Sequence, residues 1–307
     1  MTKPQSAFGA PQKDRLSRRC NGGDIVLFEQ LEPTWNNPHA REEGHLRWIV
    51  SYFGGTPGQI NDNPETGLLS TQGSAGLMWL QAGGRQYGVH QHTMRETYVI
   101  LKGQVESIEP GRSHLAGPLD CLTMPPGAPH AVRAVGSEDV VLLWCHDANE
   151  EIGRSQYYDE SDDRWDSSRP PVDVVRWDAL APTREEPGAH EGGTRRTTVT
   201  WLEAERGPSD GVLAGSVRLG CTTIEPGSRL ASHSHPFTEH FLVISGRASV
   251  VGPQASPALG RWDYVRFEPG VVHSLRAIGD EPAQLLWLQE GTAAQRAGHD
   301  GECGELA

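Results

Sequence analysis

His90-Gln91-His92-Thr93-Met94-Arg95-Glu96 decides how this chain is read, together with Gly103 and Pro126-Gly127-Ala128-Pro129-His130. The pattern is written twice. His233-Ser234-His235-Pro236-Phe237-Thr238-Glu239, Gly246 and Pro269-Gly270-Val271-Val272-His273 repeat it, each marked residue displaced by the same 143 positions (233 − 90 = 143). The same offset carries Gly84 onto Gly227, Asp120 onto Asp263 and Leu142-Leu143-Trp144 onto Leu285-Leu286-Trp287, with no gap. A register kept over that distance marks an internal duplication of one domain.

The repeated residues carry a definite chemistry. Residues two apart on a strand share a face, so His90 and His92 present both imidazoles to one side, as do His233 and His235. Glu96 and His130 join them only where the sheet curls round, and Glu239 and His273 do so in the second copy. Three imidazoles and a carboxylate are borderline ligands suited to Fe(II), Mn(II), Co(II), Ni(II), Cu(II) or Zn(II). Four protein ligands on a six-coordinate ion leave two positions for water, substrate or dioxygen. A closed structural zinc site would more commonly use cysteine, and no ligand position in either motif holds one. The plainer alternative, a group of hydrogen-bonded core histidines, does not account for the same spacing appearing twice.

Composition narrows the class. The 307 residues suffice for two domains of ordinary size, and 36 Gly with 22 Pro suit a turn-rich β protein. A formal charge of −13 argues against nucleic acid and against an anionic membrane surface, which both call for basic clusters. Five cysteines, an odd number without a CxxC pair, fit a reducing compartment. The sequence has no signal-like apolar start and no apolar run of about 18 residues, so a cytoplasmic protein is expected.

Along the chain, residues 1 to 20 read as a polar arm. Ile25-Val26-Leu27-Phe28 and Arg47-Trp48-Ile49-Val50-Ser51-Tyr52-Phe53 read as strands whose place is open: the first repeat's sheet, the second's, or a partner subunit's. Within the first repeat, Leu77-Met78-Trp79-Leu80, Glu96 to Lys102 and Val140 to Cys145 are further strands. Short strands with turn signals at such intervals predict a sandwich or barrel. Residues 148 to 193, acidic and proline-containing, read as a linker parts of which pack on a domain.

HxHxxxE followed by Gly103, with Gly84 six residues before His90, resembles the first motif of the cupins, and Pro126-Gly127-Ala128-Pro129-His130 resembles the end of the second. Two copies resemble the bicupins, among them oxalate decarboxylases and quercetin and gentisate dioxygenases. The resemblance implies an all-β fold of two tandem double-stranded β-helix jelly-roll barrels. It divides the chain into an arm with accessory strands (1–65), an N-terminal cupin domain (66–147), the linker (148–193), a C-terminal cupin domain (194–292) and a disordered tail (293–307). It implies metal ligation by His90, His92, Glu96 and His130 and by His233, His235, Glu239 and His273. The sequence departs from the pattern where Leu119 and Trp262 replace the common Gly before Asp, and where Ala134 and Ala277 replace an Asn. Oxalate-cleaving bicupins resemble one another in an Arg three residues before the first ligand; Tyr87 and Leu230 stand there, which ranks oxalate chemistry low.

The expected function is an Fe(II) dioxygenase acting on an aromatic or enolisable carbonyl compound, with Glu96 and Glu239 as proton acceptors and Tyr98, two residues beyond Glu96 on the same face, as a proton donor. Tyr98 as a plain barrel-core aromatic is the competing reading. The alternatives are a redox-neutral isomerase, decarboxylase or hydrolase using Mn(II), Zn(II) or Ni(II), and a non-catalytic ligand-binding cupin. The expected partner is a small organic molecule, with no nucleic acid and no membrane, and a homodimer or higher homo-oligomer is expected, for which the N-terminal strands offer addition to a sheet edge. His114 and His146 receive no role.

Overall fold

In a computed structural model of the chain, the residues described are 18–35, 37–54, 67–70, 73–147, 156–158, 169–185, 196–203, 212–213 and 217–290. The polar arm before Arg18 and the tail beyond Glu290 lie outside them. The chain separates into two compact units, one of Leu31–Ala179 and one of Met1–Gln30 with Leu180–Ala307. Among the described residues no helix is long and apolar enough to cross a membrane, and Cys20, Cys121, Cys145 and Cys221 are free thiols.

Each unit is built of antiparallel sheets folded into a jelly roll. In the first, the larger sheet runs in the order Asp173–Val175, Cys121–Met124, Glu96–Lys102, Val140–His146, Ser74–Leu80 and Arg47–Phe53. A smaller sheet orders Ala131–Val135, Gln104–Glu109 and Arg112–Ala116, and Val89–Gln91 pairs with Gln156–Tyr158. Strand alternation decides what points inward. Tyr98 and Ile100 from one strand meet Leu142 and Trp144 from its neighbour and Met78 and Leu80 from the next, forming the interior cluster with Leu122 and Met124. Each such side chain taken out of water contributes about 1.5–3 kcal/mol.

The second unit repeats this. Its large sheet contains Tyr264–Phe267, Thr238–Ser245, Ala283–Glu290, Val217–Ile224 and Arg196–Glu203 as consecutive neighbours, with Ala248–Val250 pairing Leu275–Ala277 apart from it. Phe241, Val243, Leu285, Trp287, Val265 and Phe267 form its interior. In both units a tryptophan lies across from a glycine, Trp144 opposite Gly76 and Trp287 opposite Gly220. A Cβ at Gly76 would stand 1.9 Å from the Val50 carbonyl oxygen, and one at Gly220 would stand 2.2 Å from Trp287. The indole occupies the space that any side chain there would need.

The N-terminal strands find definite places. Arg47–Phe53 extends the first unit's sheet beside Ser74–Leu80, while Gly23–Val26 pairs with Tyr264–Phe267 in the second unit. Residues 173–179 do for the first unit what residues 23–30 do for the second. Each supplies a strand followed by a 3-10 turn, Asp173–Val175 at the sheet's edge and Gly23–Val26 one strand in from it, because Arg18–Cys20, read from sequence as part of the arm, pairs outside it. The turn's first N–H (Trp177 or Phe28) donates to Asp120 or Asp263 at 3.0 and 2.9 Å. The same aspartates accept the Gly117 and Gly260 N–H groups three residues back. Leu119 and Trp262, in the family's glycine position, are held at φ 67° and 75°. These side chains are kept in the left-handed region at a cost of order 1 kcal/mol or more, which the tightly bonded Asp turns sustain.

Candidate metal centres

The ligand motifs converge because the segment carrying the first pair lies against the segment carrying the last histidine. His90 and His130 exchange both backbone hydrogen bonds, at 3.0 and 2.8 Å, and the Gly127 N–H donates to the His92 carbonyl at 2.7 Å. His233 and His273 do the same at 3.1 and 2.9 Å, with Gly270 donating to His235 at 2.7 Å. Glu96 and Glu239 are the first and second residues of the next strand and reach in from the sheet side. The result is two clusters, His90-His92-Glu96-His130 and His233-His235-Glu239-His273, in each of which one ligand atom per residue lies within 4.8 Å of all the others.

In the first cluster Glu96 Oε2 is the hub. It lies 2.8 Å from His92 Nε2, 2.7 Å from His130 Nε2 and 3.6 Å from His90 Nε2. The His130 ring is fixed from behind, Nδ1–H donating to the Ala128 carbonyl at 2.8 Å. Its Nε2 therefore turns a lone pair toward a carboxylate oxygen, acceptor facing acceptor, which only a shared proton or a cation between them makes favourable. The second cluster has the same build, with Glu239 Oε2 at 2.7 Å from His273, 3.2 Å from His235 and 3.4 Å from His233. Val271 and Ala231 carbonyls accept the Nδ1–H groups of His273 and His233. Both donor sets fit a borderline divalent ion.

Burial and charge tune these groups. Burial, then the neighbouring His130, holds the His90 imidazole well below its ordinary value, so it stays neutral as a ligand must be. For Glu96 burial alone would raise the carboxyl, but His92, His146 and His130 outweigh it and hold it well below the carboxylate range. Glu239 is held low in the same way, burial being outweighed by His233, His235 and His273.

The carboxylate's outer oxygen has a holder that sequence reasoning did not find. His146, which received no role, lies with Nε2 3.2 Å from Glu96 Oε1 and with Nδ1 3.2 Å from the Ser74 hydroxyl. In the second unit Gln289 stands there and donates to Glu239 Oε1 at 2.7 Å. The two correspond under the 143-residue offset, and each lies directly across the sheet from its glutamate. That offset was the available signal; a His-to-Gln exchange hid it.

Around these shared parts the centres differ. The first is sealed, its four ligands at most 6% exposed at the side chain, whereas His233 is 20% exposed. Phe237 stacks on His235 and Phe267 on His273, at 4.7 and 4.2 Å between ring centroids. The first unit has Met94 and Met124 in those places. Tyr98 lies in the first interior with its ring 6.0 Å from that of His130, and its hydroxyl oxygen accepts a hydrogen bond from Gln86 Nε2 at 3.3 Å. Burial, and then the Glu96 charge, push the Tyr98 hydroxyl well above the ordinary tyrosine range. Phe241 takes its place in the second unit and carries no hydroxyl.

Comparison with known proteins agrees with this architecture. A family model described as a cupin domain matches residues 76–146 and again 220–289. A salicylate 1,2-dioxygenase variant from Pseudoaminobacter salicylatoxidans, solved in complex with gentisate, superposes with TM-score 0.60 at 15% identity, over 89% of this chain and 84% of that one. A single-site variant of Bacillus subtilis oxalate decarboxylase gives 0.59 at 15% identity, over 92% and 80%. A Streptomyces cyaneus protein named polyketide synthase CurC is 29% identical over 103 residues; the match takes in 33% of this chain and spans 62% of that relative's length.

Proposed function

From a chain that is a bicupin, with one cupin domain in each half, we propose an Fe(II)-dependent dioxygenase acting on an aromatic or enolisable carbonyl compound, its chemistry run in the N-terminal centre. The observation that carries this reading is the make-up of that centre: three imidazoles and a carboxylate around one point, sealed from water, with a phenol and an amide in the same interior. Iron held by His90, His92, Glu96 and His130 would supply Lewis acidity toward a substrate chelating through two oxygens and an electron path to dioxygen.

The protein's own groups do the rest. Glu96 is ionised and accepts the proton of a substrate hydroxyl or enol. His146, backed by Ser74, holds its outer oxygen and so fixes which oxygen faces the centre. Gln86 steadies Tyr98, whose phenolic hydrogen is donated to a substrate oxygen. Met78, Leu80 and Ile100 supply apolar wall. The second centre has Phe241 where the first has Tyr98, and the reading assigns it to stabilising its unit around a bound ion. The name of the Streptomyces relative is relevant here, because polyketide intermediates are enolisable β-dicarbonyls and phenols.

The test is oxygen uptake by Fe(II)-reconstituted protein over a panel of 1,3-diketones, phenols and hydroxy acids. Consumption of one compound together with oxygen, abolished in Glu96→Ala and largely kept in Glu239→Ala, is expected. Substrate loss without oxygen uptake would replace the reading with a redox-neutral enzyme, and binding without turnover would replace it with a ligand-binding protein.

A further inference from the structure

Arg47 opens the strand Arg47–Phe53 and is 1% exposed, one of the largest fully buried side chains in the chain. Its Nε and Nη1 atoms are sealed from solvent and have no hydrogen-bond partner, and no carboxylate pairs with it among the described residues. A guanidinium does not ionise to neutrality at any ordinary pH, so it cannot escape burial by losing its proton. An isolated buried charge is costly to keep away from water, and an anion that comes to occupy the place offsets that cost.

The register fixes which way this side chain faces. Arg47 pairs with Leu80 and Ile49 with Met78; Leu80 and Met78 are interior residues of the first barrel, and Ile49 packs on the same cluster. Arg47 lies on that face, two residues from Ile49. Its charge is felt at the Tyr98 hydroxyl, which Gln86 links to the wall of the same interior. The second unit repeats the placement: Arg196 opens its strand opposite Ile224, and its charge is felt at the ligand His233.

We propose that the Arg47 guanidinium is an anion subsite of the N-terminal barrel, and that it receives a carboxylate of an organic substrate whose other end chelates at the His90-His92-Glu96-His130 centre. The inference rests on reading that centre as the reactive one, and it narrows the substrate to a carboxylic acid that carries a second oxygen function. A planar fork of N–H donors suits a carboxylate in two-point contact. The sequence argument against oxalate is unaffected, since it concerns the position of Tyr87. What changes is that the barrel is not without a cation.

The experiment uses the full chain loaded with Zn(II), so that binding is read without turnover. Calorimetric titration compares 2-hydroxybenzoate with its neutral amide, in wild type, Arg47→Lys and Arg47→Met, with metal content and melting temperature measured on each. The wild type is expected to prefer the acid by about 10- to 100-fold, the range of a charge-assisted bond. Arg47→Met is expected to lose that preference at unchanged metal content while melting no lower than wild type in the absence of ligand, and Arg47→Lys to keep part of it. An Arg47→Met protein that melts several degrees lower with the acid preference intact would make Arg47 a structural residue and overturn the proposal. So would failure of any acid to bind wild type, or equal competition by millimolar chloride or phosphate, which would leave a site for small inorganic anions only. Arg47-dependent acid binding without any oxygen uptake in the iron-loaded enzyme would uphold the subsite and sink the dioxygenase reading alone.

Discussion

Gln289→Leu removes one contact of the second centre with little change of volume, and with it the 3.3 Å hydrogen bond that Arg218 Nη1 donates to Gln289 Oε1. Gln289 Nε2 donates to Glu239 Oε1 at 2.7 Å, and both side chains are buried. Leucine fills the space but leaves an ionised oxygen without that donor. A hydrogen bond to a charged group contributes about 1.5–3 kcal/mol, and loss of a group orienting a metal ligand typically lowers metal affinity about 10- to 100-fold. The two figures agree, since each factor of ten is about 1.4 kcal/mol. The effect is measured by chelator competition for Mn(II) or Zn(II) in a His130→Ala background, where only the second centre binds. His146→Leu, measured in a His273→Ala background, tests the equivalent contact at the longer 3.2 Å, and a smaller loss is expected. Affinity within about twofold of the parent in Gln289→Leu would refute the idea that the opposing strand holds the carboxylate in place.

Gly76→Ala and Gly220→Ala should each destabilise their unit by about 3 kcal/mol or more, because the new methyl meets backbone or indole well inside contact distance, whereas Gly111→Ala, with open space around its Cβ, should cost about 1 kcal/mol; denaturant melts distinguish these. Chelated protein should lose stability in the first unit as pH falls below 6.5. His90 stays neutral when folded while the unfolded chain takes up its proton, and below 4.5 the depressed Glu96 adds to the loss because the unfolded chain then binds that proton too. In the second unit two shifts oppose each other. Glu239 raises His233 further than burial lowers it, so its contribution is full below 6.5 and fades as pH rises through the folded value, while burial lowers His235, whose contribution is lost as pH falls below 6.5. Hydrogen exchange resolved by unit between pH 7.5 and 5 should therefore show the first unit opening first; equal opening would contradict the assigned shifts.

What was legible in the sequence was whatever repeats at fixed spacing. The HxHxxxE and PGxxH motifs gave both clusters, because ligand geometry permits little drift in spacing, and the strands Arg47–Phe53 and Glu96–Lys102 were readable from their β-branched and aromatic runs. His146 was not legible, since its tie to Glu96 depends on cross-strand register 50 residues apart and its counterpart is a different residue type. The Gly76–Trp144 pairing was hidden for a related reason: Gly220 is displaced by 144 positions, not 143, so the repeat slips by one residue there. A further, shorter repeat is too degenerate to stand out in the sequence. Ile25-Val26-Leu27-Phe28-Glu29-Gln30-Leu31 matches Val174-Val175-Arg176-Trp177-Asp178-Ala179-Leu180, but one copy precedes the duplicated stretch and the other follows its first half. Arg47 could be read as a strand residue and not as a buried charge, because its face is set by pairing with Leu80.

Each half of the chain gathers three imidazoles and a carboxylate in a set that fits one divalent ion. Elemental analysis of protein stripped and reloaded anaerobically with Fe(II) tests it, on wild type, His130→Ala and His273→Ala. About two ions per wild-type chain, falling to about one in either variant, is the result expected from the two clusters. No bound iron in wild type, or a content that neither substitution lowers, would contradict it.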